Sequence, residues 1–156
     1  MIGALNDNDV LLFYFLFMQL IKNWLDSSYI SYTQILDGTI DNLEVISFFH
    51  QGAMVLVEHS ITDPDFYNIT LPNVGKVTPS SDMEKILGVI NTINSEWKLV
   101  KVVYDKTKSM VDINAEVFFI KDLTDVYYSK KVYAKMDRIL SMLHRAHFKY
   151  TMYSKI

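Results

Sequence analysis

The sequence predicts an α+β protein: an antiparallel sheet with helices packed on it, in the order α-β-β-β-α-β-β-α. Apolar residues recur at helical spacing over 9–27, 83–97 and 125–149, and with period two over 44–61, 67–71, 98–104 and 110–120. Runs of antiparallel strands separated by helices are the mark of this class. Half of the 156 residues are hydrophobic and the mean hydropathy is +0.11, which excludes disorder and points to a large core. A chain of this length buries roughly two-thirds of its unfolded surface and is expected to form one domain over 1–156, with the first helix at 9–27 and the sheet and remaining helices at 43–150.

The first helix holds the stretch VLLFYFLFMQLIKNWL, residues 10–25. Asp9 can cap its start, and Gln19, Lys22, Asn23 and Asp26 fall on one face. Stepping back along that face reaches Phe15 and Leu12, two large apolar side chains where solvent is expected. Leaving both wet would forgo roughly 1.5–3 kcal/mol each, so Leu11, Leu12, Phe15 and Leu16 are the candidate interface. A signal peptide would need basic residues ahead of the apolar run, but MIGALNDND has none. A membrane span would need about 20 apolar residues, and this run meets Gln19 and Lys22. Membrane insertion is not expected.

Residues 27–42 are a polar stretch with one glycine. EVISFFHQGAMVLVEHSI reads as a hairpin turning at Gln51-Gly52, with Phe48 opposite Val55 and Ile46 opposite Val57. Asp63-Pro64-Asp65 is a turn, and YNITL a third strand ending at Pro72. Ser81 and Glu84 are spaced as a capping box for the second helix, whose stripe is Met83, Ile86, Leu87, Ile90, Ile93 and Trp97. KLVKVVY and MVDINAEVFFI then pair about a turn at 106–109, Lys101 opposite Asn114 and Val103 opposite Asp112. The last helix turns Val132, Met136, Ile139, Leu140, Leu143 and His147 inward.

Charge is unevenly divided. Residues 1–75 carry nine acids against Lys22 alone, a net −8, and residues 76–156 carry fourteen bases against nine acids, a net +5. Such a split suits an acidic or nucleic-acid partner, or two halves that attract each other within or between copies; the second reading is preferred. The last helix bears Lys131, Lys135, Arg138, Arg145 and Lys149 at alternating four- and three-residue steps, interrupted only by Met142. This basic face could hold phosphates through charge alone, but it is poor in arginine and belongs to an acidic chain. A solvated face, or one meeting acids of the N-terminal half, fits better.

No catalytic set emerges. There is no cysteine, which removes thiolate sites, and no glycine-rich phosphate loop or GxSxG elbow. His50 and His59 lie too far apart along the hairpin to share an ion. His144 and His147 are three apart on a helix but lack a further ligand, so His147 reads as packed and His144 as a surface residue. Asn68-Ile69-Thr70 matches a glycosylation sequon that has meaning only on secretion. No metal, cofactor or catalytic residue is expected, and the lack of cysteine suits the cytoplasm.

LPNVGKVTPSSDMEKILGVINTINSEWKLVKVVYD, then MVDINAEVFFI and a long closing helix, resembles the YbjN-like proteins, also labelled bacterial sensory transduction regulators. Asn91, Ile93, Asn94, Lys101, Glu116 and Phe148 occupy the places of that pattern, over residues 45–150. That family is similar in fold to type III secretion chaperones, small α+β homodimers whose surfaces hold extended segments of another protein. The resemblance implies a bacterial binding or regulatory module without catalysis, partnered by itself and by another protein rather than by nucleic acid.

Overall fold

The computed structural model describes residues 18–37, 43–60, 63–119 and 127–155. Six strands form one antiparallel sheet: β1 (Tyr32–Asp37), β2 (Leu43–His50), β3 (Ala53–Ser60), β4 (Asp63–Lys76), β5 (Val100–Asp105) and β6 (Met110–Phe118), in the spatial order β1-β2-β3-β4-β6-β5. Helix α1 covers 18–27, α2 is Met83–Glu96 and α3 is Tyr128–Lys155. The fold is therefore the expected α+β sheet with helices on it. It carries one strand more than expected.

The alternation of side chains decides which sheet face is dry. The row Ile46, Val57, Ile69, Ala115, Val100 crosses five strands through directly paired residues, and all five are completely buried. The adjacent row, Ser47, Leu56, Thr70, Asn114, Lys101, lies on the opposite face and ends in an exposed lysine. A slip of one residue in any strand would exchange the two rows, so burial pins the register. Both hairpins keep the registers expected, with His50 opposite Ala53 and Lys101 opposite Asn114. Gln51 and Gly52 take φ of 50° and 79°, as a tight turn matched to strand twist requires.

The extra strand, β1, pairs residue for residue with β2, from Tyr32–Phe48 to Asp37–Leu43. Its polar composition hid it: only Thr33 and Ile35 are β-branched, and Gln34 is exposed and bonds Glu44. β4 differs from expectation at both ends. It already starts at Asp63, opposite Ser60, so the chain reverses before Asp63-Pro64-Asp65 rather than within it. It also runs past Pro72 to Lys76. The β4–β6 register breaks between Leu71 and Gly75, so Pro72 sits in a bulge where its missing N–H interrupts no ladder. Asn73, at φ 57°, donates its N–H to the Asp112 carboxylate at 2.7 Å and holds the bulge closed.

Met18, Ile21, Trp24 and Leu25 of α1 are buried, and the Trp24 ring meets Phe48 edge-on at 6.0 Å. Asn23 and Asp26 are exposed, and Gln19 donates to Asn23 across one turn, which is the polar face expected. α1 ends in a Schellman arrangement, Ile30 N–H donating to Leu25 O and Tyr29 N–H to Asp26 O. The cap of α2 is Asp82, which accepts from Lys85 N–H, whereas Ser81 accepts from Thr78 N–H. Ser81 thus serves the preceding turn and leaves the capping position to its neighbour. In the α2 stripe Ile90 and Ile93 are buried, but Leu87 is 44 % exposed.

Candidate interaction surface

Helix α3 supplies the core with Val132, Met136, Ile139, Leu140, Leu143, Ala146 and Tyr150. The inward positions near the end are Ala146 and Tyr150; His147, expected inward, is half-buried. The hydroxyl end of Tyr150 reaches the backbone of β4 at Gly75, where a Cβ would stand 2.7 Å from the ring. The helix continues to Lys155, beyond the boundary expected at Lys149.

The five residues of the expected basic face, Lys131, Lys135, Arg138, Arg145 and Lys149, share a flank of α3 but not an environment. Lys135 donates to the Phe118 carbonyl at 2.8 Å, with its ammonium 4.6 Å from the Phe119 ring centroid. The loss of water there pulls its pKa below the ordinary lysine value. Lys149 bonds Glu96 at the end of α2 and lies 5.8 Å from the Trp97 ring centroid; the bond to Glu96 raises its pKa. Lys131 is exposed near the start of the helix. Arg138 and Arg145 are exposed and line two separate clefts.

The first cleft, about 540 Å³, lies between the α2–β5 turn and α3 and is lined by Lys98, Leu99, Ala134, Lys135, Arg138, Ile139 and Met142. The second, about 510 Å³, lies beside the β2–β3 turn and is lined by Gln51, Trp97, Ser141, His144, Arg145, Phe148 and Lys149. Met142, the apolar break in the basic periodicity, thus lines a cleft bordered by three cations. Sequence spacing shows five of those lining residues on one helix, but not the approach of Lys98 and Leu99.

A histidine pair also escaped the sequence reading. His50 Nδ1 and His144 Nε2 are 2.9 Å apart and share one hydrogen bond. His144 is therefore half-buried against the hairpin end rather than a surface residue. Burial first, then the charges of His50 and His147, lower its pKa, and burial lowers that of His147. His59 lies elsewhere, buried and stacked on Tyr67 at 4.6 Å between centroids. Among the described residues no group of three His, Asp or Glu is arranged to hold a metal ion.

The residues that carry the YbjN-like resemblance separate into two kinds. Ile93 is buried, and Asn94 and Lys101 lock α2 to β5. Lys101 donates to the Asn94 and Trp97 carbonyls, bringing a cation to a helix end whose own last turn has none. Asn91, Glu116 and Phe148 are exposed and apart from that lock. Leu11, Leu12, Phe15 and Leu16, the candidate interface, lie outside the described residues. No helix among the described residues is long and apolar enough to cross a membrane.

Sheet, helices and clefts define a two-layer α+β protein with one helix-covered sheet face and an exposed basic flank on its last helix. Among solved structures, the chain is similar to an uncharacterized protein from Methanothermobacter thermautotrophicus, with a TM-score of 0.55 and 13 % identity over 88 % of this chain and 96 % of that one. It also matches YbjN from E. coli, described as a candidate transcription regulator, with a TM-score of 0.46 and 12 % identity over 88 % of this chain and 87 % of that one. No family model matches the chain, and no curated protein matches its sequence. The likeness to the archaeal protein is one of fold.

Proposed function

We propose that the chain is a non-enzymatic protein–protein interaction module, chaperone-like or regulatory, that works as a homodimer in the bacterial cytoplasm. The observation that carries this reading is the apolar run VLLFYFLF that precedes α1 in the sequence, at 10–17. Over 18–27 the helix is amphipathic, with Met18, Ile21 and Leu25 buried and Asn23 and Asp26 exposed. The same spacing followed back along the sequence reaches Phe15 and Leu12, so a helix continued through them would carry apolar side chains on its polar face. A second copy would remove them from water. The net charges of −8 and +5 on the two halves of the sequence suit attraction between copies. Nucleic-acid binding by the basic face is disfavoured, since Lys135 and Lys149 already serve partners within the chain.

Light scattering on the purified protein tests the reading. A dimer at micromolar concentration is expected, and a clean monomer would overturn it. Leu12→Asp with Phe15→Asp should yield a folded, soluble monomer; an unfolded product would place that face in the core instead.

A further inference from the structure

We propose that the cleft between the α2–β5 turn and α3 seats an acidic, amphipathic segment of a partner protein. This rests on the interaction-module reading and adds the chemistry of the partner.

Charge complementarity carries the proposal. Lys98, Lys135 and Arg138 border the cleft and no carboxylate lines it. Among the described residues no carboxylate pairs with Lys98 or Arg138, and both side chains are exposed. Lys135 is held in place by the Phe118 carbonyl and the Phe119 ring, so that edge of the cleft is already ordered. Pre-ordering lowers the entropy lost when a ligand binds. Between the cations lie Leu99 and Met142, both half-buried. Methionine adapts its shape to different apolar side chains.

The occupant that satisfies both features alternates acidic and apolar side chains. Its carboxylates would meet Lys98 and, in a two-pronged pair, Arg138, and an aliphatic side chain would rest on Leu99 and Met142. A small anion would leave the apolar surface uncovered. Nucleic acid fits less well: three cations supply little sequence-independent charge, and no aromatic side chain lines this cleft for a base to stack on.

The test is fluorescence anisotropy on the full chain. The probes are a labelled peptide alternating aspartate and leucine, the same peptide with serine for leucine, one alternating lysine and leucine, and a labelled oligouridylate. The aspartate–leucine peptide is expected to bind best. Lys98→Glu with Arg138→Glu should weaken it on the order of tenfold or more, because attraction becomes repulsion. Lys98→Gln with Arg138→Gln should give a smaller loss, and Lys130→Glu, on the same helix outside the cleft, none. Circular dichroism confirms that each variant is folded, and Lys135 is left intact because it holds the end of β6.

Three results would overturn the proposal: no binding of the acidic peptide, binding unaffected by both double substitutions, or tighter binding of oligouridylate. Dissociation of a dimer by the charge reversal would also overturn it, by making the cleft a contact between copies. A dimer that ignores the acidic peptide would leave the module reading intact while the cleft proposal falls; a monomer that binds the peptide would keep the cleft and the module and remove only the homodimer.

Discussion

Asn94 holds both main-chain groups of Val102: its amide donates to the Val102 carbonyl at 2.9 Å, and its oxygen accepts the Val102 N–H at 2.8 Å. One side chain thus substitutes for a strand at the edge of β5. Asn94→Ala is expected to cost about 1–3 kcal/mol in urea unfolding, the usual loss when half-buried polar groups lose their partners. Asn94→Asp keeps an acceptor for the N–H but opposes an oxygen to the carbonyl, and should lose at least as much. A loss below about 0.5 kcal/mol in the alanine variant would mean that water replaces the amide.

Tyr29 ends α1 at φ 55° and is 97 % exposed. It occupies the left-handed position where glycine is preferred, and its side chain has almost no contact to lose. Tyr29→Gly is therefore expected to raise stability by about 1 kcal/mol, read as a higher urea midpoint with unchanged slope. A lowered midpoint would show that the ring contributes a contact.

Gly75 and Tyr150 approach too closely for any other residue at position 75. Gly75→Ala places a Cβ 2.7 Å from Tyr150 Cε1 and 2.8 Å from its hydroxyl, so the buried ring must move. The expected cost is about 1–3 kcal/mol. Combined with Tyr150→Leu, the glycine substitution should cost clearly less, a coupling that a double-mutant cycle measures. Additive losses would show that the ring is not the obstacle.

The histidine pair sets a pH dependence. His144 and His147 titrate below the ordinary 6.5 in the folded chain. Between the folded and unfolded values the unfolded chain binds more protons, so stability rises with pH through that window and is lost as pH falls below 6.5. Protonation of His144 also makes its Nε2 a donor only, so it can no longer accept in the bond it shares with His50. Tm should drop between about pH 7.5 and pH 5, and His144→Gln should reduce the drop. Glu44, raised by burial against the pull of Lys22 and the Gln34 bond, acts in the opposite sense at lower pH. The difference between wild type and variant is therefore the quantity to measure. An identical drop in both would remove His144 from the account.

Strand registers were legible in the sequence wherever one face is dry, as Ile46 opposite Val57 and Lys101 opposite Asn114 illustrate. β1 was not legible, because at the sheet edge its pattern of Gln34 and Ile35 declares neither a dry face nor a wet one. The basic periodicity of α3 was visible. What Lys135 and Lys149 bond was not, because Phe118 and Glu96 reach them only through the fold. The same holds for His50 and His144, 94 residues apart. Local spacing reports which way a residue faces, and contacts of high sequence separation decide what it meets.

The bond from Asn94 to Val102 makes the two margins of the sheet unequal. An incoming strand at β5 would first have to break both bonds at Val102, whereas among the described residues no strand pairs the outer side of β1. Two copies joined through β1 would each present only a blocked margin to a third. Growth beyond a pair would have to break the Asn94 bonds at Val102, which raises the cost of edge-to-edge polymerisation.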